Sequence, residues 1–366
     1  MACVYLGDIH LGYSRKSFTT KQGAARYRTA LYEAVTNYCR ELRGGMLVQV
    51  GDLFDSFRTD DLATVQGLHL LSEQLDFVVA GNHDLVNTAG KDSTLAMLAD
   101  YCESSGSAVY GDILMPEYNK PTTSQIPPII CQKTGKKIKN YVVPYQYTQE
   151  LFESSLDSVL RLAGKRSTNE VKVLVLHTNY DNPFDNTETT NNLTEEKAKE
   201  LLKHFDYIVS GHHHNYSEHL RGRVVMTGAI MPFNSSEYED KYAVKIDGEG
   251  VKKMLLWKAS DHVRTYTPET APETLPDNIQ FVITEGSTTE VGHVELMKKI
   301  SNWWNTSTSL LTCIPRHEIR VTDDTESLKA ANSLKGVNVV DVVRGVLKGR
   351  SLEVFDSVVA ELKGKE

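Results

Sequence analysis

Five short stretches concentrate the side chains able to do chemistry: Asp8-Ile9-His10, Gly51-Asp52-Leu53-Phe54-Asp55, Gly81-Asn82-His83-Asp84, a lone His177, and Gly211-His212-His213-His214. Six of the twelve histidines fall inside them, more than chance scatter gives. Imidazole nitrogen beside carboxylate and amide oxygen, with no thiolate, suits manganese, iron or zinc better than magnesium or copper(I). A pair of such ions serving phosphoryl chemistry sits roughly 3.5–4 Å apart, which requires one shared ligand and an open position on each. A carboxylate is the natural bridge, because it has two oxygens and offsets the cations' charge. Glycines precede Asp52, Asn82 and His212 and are expected to let the backbone turn sharply there.

The elements that must position these residues alternate from the start of the chain. Cys3 to Leu6, Met46 to Val50, Phe77 to Ala80, Val171 to Leu176 and Tyr207 to Ser210 are short apolar runs that read as strands. Helical patterns cover about Ala24 to Arg40 and Asp61 to Glu73. The alternation predicts βαβ units and a mostly parallel sheet with buried strands. Ligand sites in such sheets lie beyond the carboxyl ends of strands, so the five stretches are expected to converge on one crevice. Between Pro121 and Pro144, two extended runs flank Thr134-Gly135-Lys136-Lys137 and predict a hairpin.

The bulk properties narrow the classes. The chain has 366 residues and a net charge of −8, so it does not hold nucleic acid by bulk electrostatics, and any such contact is local, metal-mediated or shared with a partner. Five scattered cysteines with no CxxC pair fit a reducing compartment. The N-terminus does not read as a signal peptide, and no apolar run approaches the roughly 20 residues that span a bilayer, so a cytoplasmic location is expected.

The order DxH, GDxxD, GNHD, H and GHxH resembles the calcineurin-like metallophosphoesterase superfamily. The wording Gly7-Asp8-Ile9-His10-Leu11-Gly12 and Gly51-Asp52-Leu53-Phe54-Asp55 is similar to its SbcD-type DNA nuclease branch, phage and bacterial recombination subunits included. Val143-Pro144-Tyr145 and Thr227-Gly228-Ala229 also sit where that branch has comparable segments. The resemblance implies an α/β fold: a metallophosphoesterase β-sandwich flanked by helices in four αββα layers, with a small α+β capping domain and a C-terminal helical tail. It implies that Asp8, His10, Asp52 and His214 bind one metal, and that Asp52 (bridging), Asn82, His177 and His212 bind the other, manganese being the favoured ion. His83 then resembles the family's proton donor to the leaving oxygen, with Asp84 orienting it. The implied reaction is in-line attack of hydroxide on a phosphodiester. Position 55 is Asp where archaeal and eukaryotic relatives tend to have His, so no phosphate contact is assigned to it. His213 has no family role and is expected to face solvent.

Residues 1–266 are expected to form the nuclease domain. The proline-rich run Thr267 to Pro276 marks a linker over residues 267–278. Ile279 to Thr284 (strand), Val291 to Trp304 (helix) and His317 to Thr322 (strand) suggest an accessory domain over 279–333, with Trp303 and Trp304 in its core. The resemblance makes this a DNA-orienting cap. In the tail, 334–366, Leu352, Phe355, Val359 and Leu362 share one helical face. That face either packs on its own domain or docks on a partner, and the resemblance implies docking on an SMC-like coiled-coil ATPase of the SbcC type, within a heterotetramer built on a homodimer. Arg15 and Lys16, just after the first motif, are candidates for gripping DNA phosphates. The rival readings are a stand-alone phosphatase or small-substrate phosphodiesterase with the same metals, and a metal-free interaction scaffold.

Overall fold

The computed structural model describes residues 1–13, 21–86, 92–105, 111–182, 191–234, 236–306 and 311–320. Arg15, Lys16 and the apolar positions of the tail lie outside the described residues.

Contacts divide the chain into two compact units. The first comprises the described residues of Met1–Arg264, Leu275–Val282 and Ser307–Ile314. Its chemistry-bearing part is built from fourteen strands in chain order. One six-stranded sheet contains β1 (Cys3–Leu6), β2 (Met46–Gln49), β3 (Phe77–Val79), β4 (Asp112–Leu114), β13 (Lys241–Ile246) and β14 (Val251–Trp257), in the spatial order β14-β13-β1-β2-β3-β4. The other contains β5 (Ser124–Ile130), β6 (Lys137–Val143), β7 (Glu170–His177), β10 (Tyr207–Gly211), β11 (Ser217–His219) and β12 (Val224–Met226), in the order β11-β12-β10-β7-β6-β5. A short parallel pair, β8 (Asn179–Tyr180) and β9 (Asn192–Leu193), stands beside them.

The expectation of a mostly parallel sheet is thus corrected to two. Each has a parallel run, β1-β2-β3-β4 in one and β6-β7-β10-β12 in the other, with antiparallel strands at one margin of the first and at both margins of the second. The side-chain period of two explains why both sheets read as continuous apolar runs. Cys3 and Tyr5 of β1 and Val171, Val173 and Val175 of β7 share one core between the sheets. Val4 and Leu6 turn outward instead, onto a layer with Tyr27, Leu31, Leu70 and Leu98 from the helices Lys21–Leu42, Asp61–Glu73 and Thr94–Ser105. Leu174 and Leu176 turn outward on the other side, toward Phe152, Leu156 and Leu201 of the helices Gln149–Ala163 and Glu195–Leu201. The result is the four-layer αββα sandwich that the resemblance implied. Each fully buried valine or leucine in it stabilises the fold by roughly 1.5–3 kcal/mol relative to exposure.

Local signals fix the element ends. Asp60 caps Asp61–Glu73 by accepting the Ala63 N–H, Thr148 caps Gln149–Ala163 through Leu151, and Thr194 caps Glu195–Leu201 through Lys197. The predicted hairpin is present as the antiparallel pair β5-β6, and Pro127 and Pro128 fall on the edge strand where its register shifts. Tyr5 Oη donates to Asn140 Oδ1 at 2.5 Å, and Asn140 Nδ2 donates to Cys3 Sγ at 3.1 Å, so one buried polar bridge links the sheets.

The second unit comprises the described residues of Thr265–Thr274, Ile283–Thr306 and from Pro315 onward. Its helix, Glu290–Thr306, follows the strand Ser287–Thr289, which pairs in parallel with Glu318–Arg320. Trp303 is fully buried, and its Nε1–H reaches the carbonyls of Pro272 and Glu273 at 3.1 and 3.2 Å. Lys299 Nζ donates to Ala271 O at 2.7 Å, so the proline-bearing stretch is folded onto this helix.

Candidate metal centre

The loops after β1 and β2 are zipped together. Both Ile9 and His10 donate N–H groups to Asp52 O at 3.0 Å, Leu11 donates to Leu53 O at 2.8 Å, and Asp55 donates to Leu11 O at 3.0 Å. This ladder holds His10 and Asp52 at φ 51° and 56°, a left-handed conformation that non-glycine residues seldom adopt. His212, after β10, has φ 85°. Such residues cost on the order of 1–3 kcal/mol each and collect where a site needs them. Asn82, His83 and Asp84 follow β3, and His177 closes β7. The two sheets therefore deliver their strand ends to one place.

Three groups of ligand atoms form there, each with all its atoms within 4.8 Å of one another: Asp8, His10 and His214; Asp52, His177 and His212; and His10, Asp55 and His83. In the first, His10 Nε2 and His214 Nε2 face each other at 3.1 Å, and Asp8 Oδ2 is 3.4 Å from His214 Nε2. In the second, Asn82 Oδ1 lies 3.1 Å from His177 Nε2 and 2.8 Å from His212 Nδ1. Asp52 Oδ2 stands between them, 3.8 Å from His10 Nε2 and 3.3 Å from His177 Nε2. Asp8, His10, Asp52, Asn82, His177, His212 and His214 are thus brought together, and the third group adds Asp55 and His83, which the resemblance did not assign as ligands.

The donor set fits a pair of divalent cations. Asp8 Oδ2 is buried without a hydrogen-bond partner among the described residues, and it points at the first triad. His177 turns Nδ1 to the Val50 carbonyl at 2.8 Å, which directs Nε2 toward Asp52 and Asn82. His214 turns Nδ1 to Glu237 Oε1 at 2.9 Å, which directs its Nε2 toward Asp8 and His10. An outer partner on the far nitrogen is the usual way of orienting a metal-binding imidazole.

Glycine matters here for space more than for turning. A Cβ on Gly81 would lie 2.1 Å from Asp52 Oδ1, and one on Gly51 would lie 1.9 Å from His177 Nδ1. One on Gly211 would lie 2.7 Å from Asp8 Oδ1. Gly51, at φ 105°, alone of the three combines close approach with the sharp turn that the sequence suggested.

Charge is tightly coupled in the centre. Burial works to raise the Asp52 carboxyl, but His177, His10 and His83 outweigh it and hold the group well below the usual carboxylate range. Burial and the neighbouring Asp52 raise Asp8 against the opposing histidines. Burial lowers His177, yet the Asp52 and Asp8 carboxylates and the Val50 carbonyl push it up to about 9. Burial also lowers His214, and Glu237 and Asp8 reverse that to a net rise.

One expected role changes: the Asp84 carboxylate accepts not from His83 but from the N–H groups of Leu53 at 3.2 Å, Phe54 at 2.9 Å and Gly81 at 2.9 Å. It ties the Asp52 loop to the Asn82 loop, and burial together with Asp52 pushes it up to about 7. The His83 ring is instead held by the Asp55 carbonyl, 2.7 Å from Nδ1, while the His83 N–H donates to Asp52 Oδ1 at 2.9 Å. His83 is exposed, as a group that meets a substrate must be. The Asp55 carboxylate, which had no assigned role, lies 3.4 Å from His10 Nδ1. His213 is exposed, with Nδ1 3.3 Å from the Asn215 carbonyl oxygen. Glu237 was missed, since a single glutamate well after the last histidine motif carries no spacing signal. Val143-Pro144-Tyr145 proves useful, because the Tyr145 N–H donates to Ala80 O at 3.0 Å and joins the ends of β6 and β3.

The profile of the calcineurin-like phosphoesterase family matches residues 1–216, which spans every one of these motifs. The chain belongs to that family, the metallophosphoesterases, whose members are hydrolases of phosphoester bonds that use divalent metals. Among solved structures it is similar to a putative 5′-nucleotidase from Staphylococcus aureus, at 13% identity over 69% of this chain and 52% of that one, with a TM-score of 0.40. It is also similar to the phosphopantetheinyl hydrolase of Mycobacterium tuberculosis (13% identity, 62% and 89% covered, TM-score 0.37). A third is GAP50, the anchor in the inner membrane complex of Plasmodium (15% identity, 70% and 84% covered, TM-score 0.38). The chain spans about half the length of the first of these. Likeness at this level carries no argument about substrate. The comparison with curated proteins returned no match. No helix among the described residues is long and apolar enough to cross a membrane.

Proposed function

We propose that the chain is a metal-dependent DNA nuclease, exonucleolytic with endonucleolytic capacity, that works with an SMC-like ATPase in double-strand-break repair or recombination. The observation that carries the catalytic half is Asp52 Oδ2, set between a ligand of each triad at 3.8 and 3.3 Å. Asp8, His10, Asp52 and His214 would hold one ion, and Asp52, Asn82, His177 and His212 the other. Held there, divalent cations, manganese by preference, supply water activation and neutralise charge on the phosphoryl oxygens. The chain's own work is to orient and to move a proton. His83, fixed through Nδ1 by the Asp55 carbonyl, presents Nε2 to the departing oxygen and donates to it, a contribution of roughly 10²–10⁴-fold. Asp84 keeps the two loops that carry Asp52 and His83 in register.

The DNA half is supported by the SbcD-like wording of the first two motifs, and by a separate unit following the phosphoesterase portion. A net charge of −8 fits a nuclease that relies on a partner and on local basic residues such as Arg15 and Lys16 for its grip. The test is digestion of linear duplex DNA with manganese, with and without ATP and the co-purified ATPase. Release of nucleotides supports the reading. Turnover of bis(p-nitrophenyl) phosphate with no attack on DNA under either condition would replace it with a small-substrate phosphodiesterase.

A further inference from the structure

We propose that Glu237 is a positioning residue for the first metal triad, acting through His214. The inference rests on the reading above that Asp8, His10 and His214 hold an ion. Glu237 is almost wholly buried, and its Oε1 lies 2.9 Å from His214 Nδ1. Its own turn aims it: Oε2 accepts the Phe233 N–H at 3.1 Å, the Asn234 amide donates to Oε1, and the Glu237 N–H donates to Asn234 O at 3.2 Å. Phe233 from the same turn packs edge-on against His10 and tilted against His214, with ring centroids 4.9 and 5.3 Å apart. Lys241, also buried, grips the other end of the residue, with Nζ donating to His214 O at 3.0 Å and Asn215 Oδ1 at 3.2 Å. His214 is thus fixed at ring and backbone by one segment, 233–241.

The two triads differ in this respect. The far nitrogen of His177 meets a neutral carbonyl, whereas that of His214 meets a carboxylate. A carboxylate both locks the tautomer and makes the imidazole a stronger donor, and loss of such a partner typically weakens metal binding about 10–100-fold. Glu237 therefore acts on one ion of the pair and leaves the other alone.

The test is manganese titration of the full chain, wild type beside Glu237→Gln, with folding followed by circular dichroism. The variant is expected to bind one ion as the wild type does and the other about 10–100-fold more weakly. Equal weakening of both ions, or two affinities within about threefold of wild type, would overturn the proposal. A wild type that binds no manganese would instead sink the two-metal reading on which it rests. A measurement that needs no variant comes from ¹⁵N-labelled histidine in the metal-free wild type, at a pH where His214 is neutral: its single proton is expected on Nδ1, and a neutral ring protonated on Nε2 would contradict the proposal.

Discussion

His83 separates turnover from metal retention. Its ring is outside the Asp8-His10-His214 and Asp52-His177-His212 triads, grouping instead with His10 and Asp55, and its Nδ1 is taken by the Asp55 carbonyl. His83→Ala is expected to keep both ions while turnover falls roughly 10²–10⁴-fold, read by metal content beside kcat on one sample. An emptied site in that variant would mean that His83 is a ligand. His177 makes a second prediction at this scale, from its rise to about 9. The sign follows from linkage: in the metal-free protein the raised value stabilises the fold below about 6.5, and that contribution is lost as pH rises through about 9. A metal takes the neutral imidazole, so a proton must leave first. Apparent manganese affinity should therefore climb by about tenfold per pH unit from this group alone, and level off above that range. A flat affinity between neutral and mildly alkaline pH would show that His177 is not displaced from its protonated state by the metal.

At the scale of elements, the centre depends on how closely strand ends approach. Gly81 leaves no room for a side chain, since a Cβ would sit 2.1 Å from Asp52 Oδ1 and 2.3 Å from the Asp52 backbone nitrogen. Gly81→Ala is expected to dislodge Asp52 and to cost most of the metal binding, measured by equilibrium dialysis. Retention of two ions would show that the loop can give way. The sequence made these strand ends legible because Asp8, Asp52, Asn82, His177 and His212 each follow an apolar run. It did not reveal what the glycines do, because the clash at Gly81 is with a residue from a different strand. The same limit applies to Asp84, whose three N–H donors belong to residues brought close by β2 and β3 pairing. Glu237 was illegible for the same reason: its meaning lies in a contact with His214 across twenty-three residues of chain. By contrast, Trp303 was readable as core, since a large apolar ring at a buried helical position has little else to do.

For the whole molecule, the alternation of strands and helices predicted the layers but not their division into two sheets. Runs such as Cys3–Leu6 and Val171–Leu176 look alike in sequence, because both faces of each are covered. Only the assembled sandwich brings Val50 of one sheet to His177 of the other, at 2.8 Å. The metal centre is therefore a property of the folded pair of sheets, and Asp52 is where the pair meets chemically. The most direct test is to count manganese per chain in the wild type and in Asp52→Ala, both shown to be folded. The account predicts two ions in the wild type and none held tightly in the variant. A variant that keeps either ion at wild-type affinity would contradict a centre bridged by Asp52.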